Sequence, residues 1–157
     1  MPFLVKDDLK TVIREYQLDA ITDSDDTIVE DAIAAGIEEA ASLLTPNDMN
    51  KWKDGRPVYD VNAIFTAEDA DRSQLILAHT KAITMWHLVY LCNTGLTYAE
   101  AEGRYDRSVQ ALKDLAAGTT NSLTLPRVAP PEPDDELPWQ SGSNKKFNHG
   151  NNITPWG

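Results

Sequence analysis

Apolar residues recur at helical spacing through the first 118 positions of the chain. Leu9, Val12, Ile13 and Tyr16 fall at i, i+3, i+4 and i+7 and predict a helix over residues 6–16. Asp7 and Asp8 sit in its first turn, where negative charge suits the helix dipole. Val29, Ile33, Ile37, Ala40 and Leu44 mark a longer second helix that stops before Pro46. Asp23-Ser24-Asp25-Asp26 supplies its caps, with Ser24 or the Thr27-x-x-Glu30 pair placed to close the first turn, and Glu30, Asp31, Glu38 and Glu39 are expected on its outer face. A third helix, over residues 73–91, is apolar almost all round and reads as the central buried one, with Gly95 as its stop. The fourth opens on the capping box Thr97-Tyr98-Ala99-Glu100, carries Tyr98, Ala101, Tyr105, Val109, Leu112 and Leu115 on one stripe, and ends at Gly118. Between the second and third lies a long connection, residues 45–65. It contains the turn dipeptide Asp54-Gly55 and an alternating stretch at 58–61 that suggests a short strand or an extended arm. The expected fold is all-α: a small four-helix domain with a long inter-helix loop or hairpin at 45–65.

Proline placement divides the chain. Six of the nine prolines fall within residues 119–157, so residues 1–118 are expected to form the helical domain and 119–157 an extended, Pro-rich tail. Charge narrows the function classes. The 157 residues carry 25 acidic and 14 basic side chains, a net charge of −11, and residues 1–50 alone hold 12 acids against 3 bases. Such a chain is a poor free-standing nucleic-acid binder, because neutralising phosphates needs clustered Lys and Arg. It also lacks the polybasic face of a membrane-surface protein. The N-terminal residues do not form a signal peptide, and no stretch reads as a run of about 20 apolar residues. The expectation is a soluble, acidic, intracellular protein without a membrane partner.

Candidate chemistry adds little. Cys92 is the only cysteine, which excludes an intrachain disulfide framework and a multi-cysteine metal site. Counted as a calcium loop from Asp23, position 6 is Ile28 where Gly is required and position 12 is Ala34 where Glu is required. His79 and His87 stand eight residues apart rather than the four that let two imidazoles reach one metal. There is no Gly-rich phosphate loop, no Gly-x-Ser-x-Gly elbow and no His-Glu-x-x-His helix. No catalytic residue, cofactor or metal is therefore expected. Partner binding is better served. Trp52 stands among Lys51, Lys53 and Arg56 in the long connection, and Trp139, Phe147 and Trp156 lie in the tail, where large aromatics act as anchors when a segment orders on a partner. The candidate contact residues are Trp52, Lys53, Arg56, Trp139, Phe147 and Trp156.

Five blocks resemble a Mu-like prophage family formerly filed as a domain of unknown function. They are Phe3-Leu4-Val5-Lys6-Asp7-Asp8-Leu9, Leu18-Asp19-Ala20-Ile21-Thr22-Asp23, Tyr59-Asp60-Val61-Asn62-Ala63-Ile64-Phe65, the helix from Ala78-His79-Thr80-Lys81 to His87-Leu88, and the run from Arg104-Tyr105-Asp106 to Ala117-Gly118. They span most of residues 1–118 in the family's order. The departures are at 45–58 and beyond Leu125. The resemblance implies a head–tail connector (adaptor) of a tailed bacteriophage: a structural, non-enzymatic virion protein of the neck. Such a protein forms a ring with copies of itself, twelve-fold by the resemblance, between the portal protein and a downstream tail or stopper protein. DNA would pass through the ring without being specifically bound, and carboxylate-rich walls would repel it. The alternatives are a small helical adaptor or regulatory protein of the host, with no virion role, and a small enzyme using Cys92.

Overall fold

The computed structural model of the chain describes residues 2–46, 55–92 and 98–131. The fold is all-α, and α4 (Gln74–Cys92) lies at its centre, in contact with both α2 (Asp26–Leu44) and α5 (Tyr98–Ala117), while α2 also reaches α5. Among the described residues two short helices complete the set, α1 (Glu15–Thr22) and α3 (Val61–Thr66), with 3-10 turns at Lys6–Thr11 and Asp69–Asp71. Among the described residues the only β pairing is a single antiparallel bridge between Tyr59 and Arg127.

The three long helices stand where periodicity puts them, whereas the N-terminal helix does not. The stripe from Leu9 to Tyr16 is broken into a 3-10 turn and α1, with Arg14 extended at φ −76°, ψ 142°. Thr11, Val12 and Ile13 are consecutive β-branched residues, which lose rotamer freedom in a helix. The break lets Leu9 and Ile13 point into the core and restarts the helix so that Leu18 and Thr22 do the same, leaving Tyr16 71% exposed. Asp23 and Ser24 follow with positive φ, 54° and 60°, making a left-handed turn into α2. The N-cap of α2 is then Asp25, whose carboxylate accepts from the Thr27 amide at 2.9 Å. Asp60 caps α3 in the same way, accepting from the Ala63 amide at 2.9 Å.

Ala32, Gly36 and Ala40, four residues apart and buried, form the small-residue stripe of α2, and Gly36 packs directly on Thr84 of α4. Around this contact Leu44, Ile76, Ile83, Leu88 and Leu112 are fully buried, each stabilising the fold by about 1.5–3 kcal/mol relative to exposure. By length and composition alone α4 would suffice to cross a bilayer, which the sequence reading did not anticipate. Here it serves as the core helix, with Ile76, Leu77, Ile83, Leu88 and Val89 buried against the rest of the body.

The two ends of the described chain are tied down. Phe3 packs edge-on to Phe65, centroids 4.8 Å apart. Arg72 donates to the Phe3 carbonyl at 3.0 Å and to Asp8 Oδ2 at 2.7 Å. At the other end, the folded body does not stop at Gly118. Leu125 is buried in the same core, the Asp60 amide donates to the Pro126 carbonyl at 2.9 Å, and the Val128 amide donates to the Val58 carbonyl at 2.8 Å. Tyr59, itself buried, accepts the Ser122 amide on its hydroxyl and carries the Arg127 guanidinium over its ring at 5.9 Å. The expected arm at 58–61 is therefore real as far as Asp60, and its partner is the start of the segment assigned to the tail.

Candidate functional site

The side chains that stand out chemically collect where α2, α4 and α5 meet. Trp86 and Tyr90, one turn apart on α4, face Tyr98 and Tyr105, two turns apart on α5. The Trp86 ring stacks on Tyr105 at 5.3 Å and meets Tyr98 at 5.1 Å and Tyr90 at 6.4 Å. Beneath them α2 contributes Glu39. One carboxylate oxygen accepts from His87 Nε2 at 2.7 Å and the other accepts from the Tyr105 hydroxyl at 2.5 Å. The hydrogen bond to Glu39 is the main reason the Tyr105 phenol is pushed up to about 12; burial, the Glu39 charge and Asp106 add to it. With both oxygens engaged, Glu39 is a strut joining three helices rather than a free base. It was expected on the outer face of α2, but it lies three residues after Gly36, at the edge of the buried stripe, and turns inward; Glu30, Asp31 and Glu38 do face solvent.

The outer surface of this cluster is apolar and open. Tyr90 is 68% exposed, Leu91 56% and Tyr98 45%. Grouped exposed aromatics of this kind are typical of protein contact surfaces, where rigid rings supply area at low entropic cost.

His79 and Cys92, the other candidate groups, are partly buried. His79 Nδ1 lies 3.1 Å from the Ser108 hydroxyl, and burial lowers its pKa. Burial pushes the Cys92 thiol up, which favours the unreactive protonated form. Among the described residues no three His, Cys, Asp or Glu side chains converge as a metal site would require.

Apart from this cluster, a concavity of about 750 Å³ opens between the Lys6–Thr11 segment with α1 and the facing parts of α4 and α5. Val12, Ile21 and Met85 are among its apolar lining, and Lys10, Arg14 and Arg104 bring three cations to it against the single carboxylate of Glu100.

Of the six contact residues read from the sequence, Arg56 is described: it is half-buried and packs against Gly118, where an added Cβ would come 2.9 Å from Arg56 Cβ. Gly118 has φ +77°, so glycine suits both the turn and the close approach. Trp52, Lys53, Trp139, Phe147 and Trp156 lie outside the described residues, as do Asp54, Gly95 and Thr97. The aromatic cluster is not singled out by the sequence, where Tyr98 and Tyr105 stand on the stripe of the fourth helix and Tyr90 carries no signal. The missing signal was that the facing ends of two helices bring the two pairs together.

No family model, curated protein or solved structure matches the chain.

Proposed function

We propose that the chain is a structural adaptor of a tailed-phage neck, a subunit that binds neighbouring copies of itself and the portal protein and performs no catalytic step. The observation that carries the reading is the exposed apolar surface of Tyr90, Leu91 and Tyr98 on a strongly acidic helical body. An apolar patch of this kind suits a protein partner, and a solvent-facing acidic helix suits a wall past which DNA slides without sticking. The family-like blocks support the same reading through their structural work: Phe3, Leu4 and Leu9 are core, Asp8 ties the N-terminal turn to Arg72, and Asp60 caps α3. In this role the chain sits between portal and downstream tail or stopper protein, in the virion neck, with DNA as passing cargo.

Mass photometry of the chain mixed with the portal protein from the same genome tests this. A discrete complex heavier than the portal, lost on Tyr90→Asp with Tyr98→Asp, is expected. A portal mass unchanged by excess adaptor overturns the reading.

A further inference from the structure

The cleft beside α1 is unusual for so acidic a chain. Lys10 and Arg104 are held by Asp7 and Glu100, while Arg14 is exposed and forms no ion pair among the described residues. Lys81 adds a further cation at the edge, donating to the Thr11 hydroxyl at 3.1 Å. Between these charges the lining is apolar. A fitting occupant therefore has several carboxylates followed closely by large apolar side chains. The chain contains one such segment outside the described residues: Glu132-Pro133-Asp134-Asp135-Glu136-Leu137-Pro138-Trp139, which begins directly after the surface-exposed Pro131.

We propose that residues 132–139 of a second copy of the chain seat in this cleft, with carboxylates toward Arg14, Lys10 and Arg104 and with Leu137 and Trp139 on the apolar lining. Pro133 and Pro138 restrict the segment before it binds, which lowers the ordering cost of docking. A second copy is the better donor because of where the chain leaves its own body. Gly118 ends α5 about 20 Å along the axis from Arg104 at 1.5 Å per residue, and Val128 is then tied to Val58. The acids start four residues later. The contact is heterologous, one surface of each copy meeting a different surface of the next, so repetition generates a closed ring or an open filament. The inference stands apart from the neck reading, since it is tested on the free chain without portal.

The test is photo-crosslinking of the full chain carrying Trp139→p-benzoylphenylalanine, using an equal mixture of light and isotopically heavy protein. Light–heavy crosslinks mapping to residues 10–21, 82–85 or 100–104 are expected. Lys10→Glu with Arg14→Glu should lower their yield at least fivefold at unchanged helicity. Asp134→Lys with Asp135→Lys should do the same without touching the helical body, and combining the two pairs should restore crosslinking. Crosslinks confined to one chain, crosslinks elsewhere on the body, or a yield indifferent to the tail charges would overturn the proposal.

Discussion

Gly36 on α2 and Thr84 on α4 leave no room for one more carbon between them: a Cβ at Gly36 would lie 2.2 Å from Thr84 Oγ1 and 3.1 Å from Thr84 Cα. The second contact is with backbone, so a change of the Thr84 rotamer relieves only part of the crowding. The Thr84 hydroxyl is itself buried and has no hydrogen-bond partner among the described residues. Close approach of the two helices is thus retained at the expense of an unsatisfied polar atom.

Gly36→Ala is expected to destabilise the fold by about 2–3 kcal/mol, at the upper end of overpacking costs. Thr84→Ala should recover part of that loss when combined with it, because the nearest clashing atom is gone. Urea denaturation of the two single variants and the double variant measures the coupling. Strictly additive effects would show that the two residues do not press on one another.

The Asp8–Arg72 pair predicts an acid-labile component of stability. Burial alone would raise the Asp8 carboxyl, but hydrogen bonds from Arg72 and the Val5 amide, with the Arg72 charge, outweigh it and hold the group below its ordinary value. A depressed folded pKa contributes stability above about pH 4, the ordinary value of the group, and that contribution is lost as pH falls through the lower, folded value. Asp8→Asn should cost about 2 kcal/mol near neutrality and should flatten the dependence of stability on pH below about 4. An unchanged acid limb in the variant would assign the transition to other carboxylates.

The sequence reading and the structure agree where one force dominates. Burial of an apolar stripe fixes α2 and α5, where it is visible at 3.6-residue spacing, and burial at the centre of the body fixes α4, visible as an apolar run too long for a strand. The N-terminal region was misread as one helix because Leu9, Val12, Ile13 and Tyr16 satisfy the period even though the β-branched run between them favours extended backbone at Arg14. The short helix Val61–Thr66 was read as connection, since six residues hold too little periodicity to register; its capping Asp60 was the available clue. Gly118 looked like the end of the fold because it ends a helix, and the return of Leu125 to the core is a long-range contact with no local signature. The Glu39–His87–Tyr105 cluster was hidden for the same reason: its members come from three helices.

Tyr105 supplies an alkaline counterpart. Its phenol is pushed up to about 12, so the folded state favours the protonated form. That preference stabilises the fold below about pH 10, the ordinary tyrosine value, and fades as pH rises toward the folded value. Tyr105→Phe should remove this part of the alkaline transition and cost about 1 kcal/mol at neutral pH through the lost hydrogen bond to Glu39. Absorbance titration of tyrosine ionisation checks it: wild type should show one late-titrating tyrosine that the variant lacks.

Leu125 tests the extent of the folded body. Leu125→Ala is expected to destabilise by about 2–4 kcal/mol, the cost of emptying a buried leucine site. A loss below about 0.5 kcal/mol, the size of an ordinary surface substitution, would place residues 119–128 outside the cooperative unit. Hydrogen exchange at the Val128 amide, protected by the Val58 carbonyl, gives an independent reading.

The clasp between residues 58–60 and 126–128 also sets a load path. Tension applied to the chain beyond Val128 meets first the hydrogen bonds Val128 to Val58 and Asp60 to Pro126, and only after they part does it reach the last turn of α5. Force is thereby diverted into the segment that leads to α3, and Leu125 serves as a cleat buried behind the knot. A pull on the C-terminal end would be expected to release this clasp as a discrete first event, with the α2–α4–α5 core still intact.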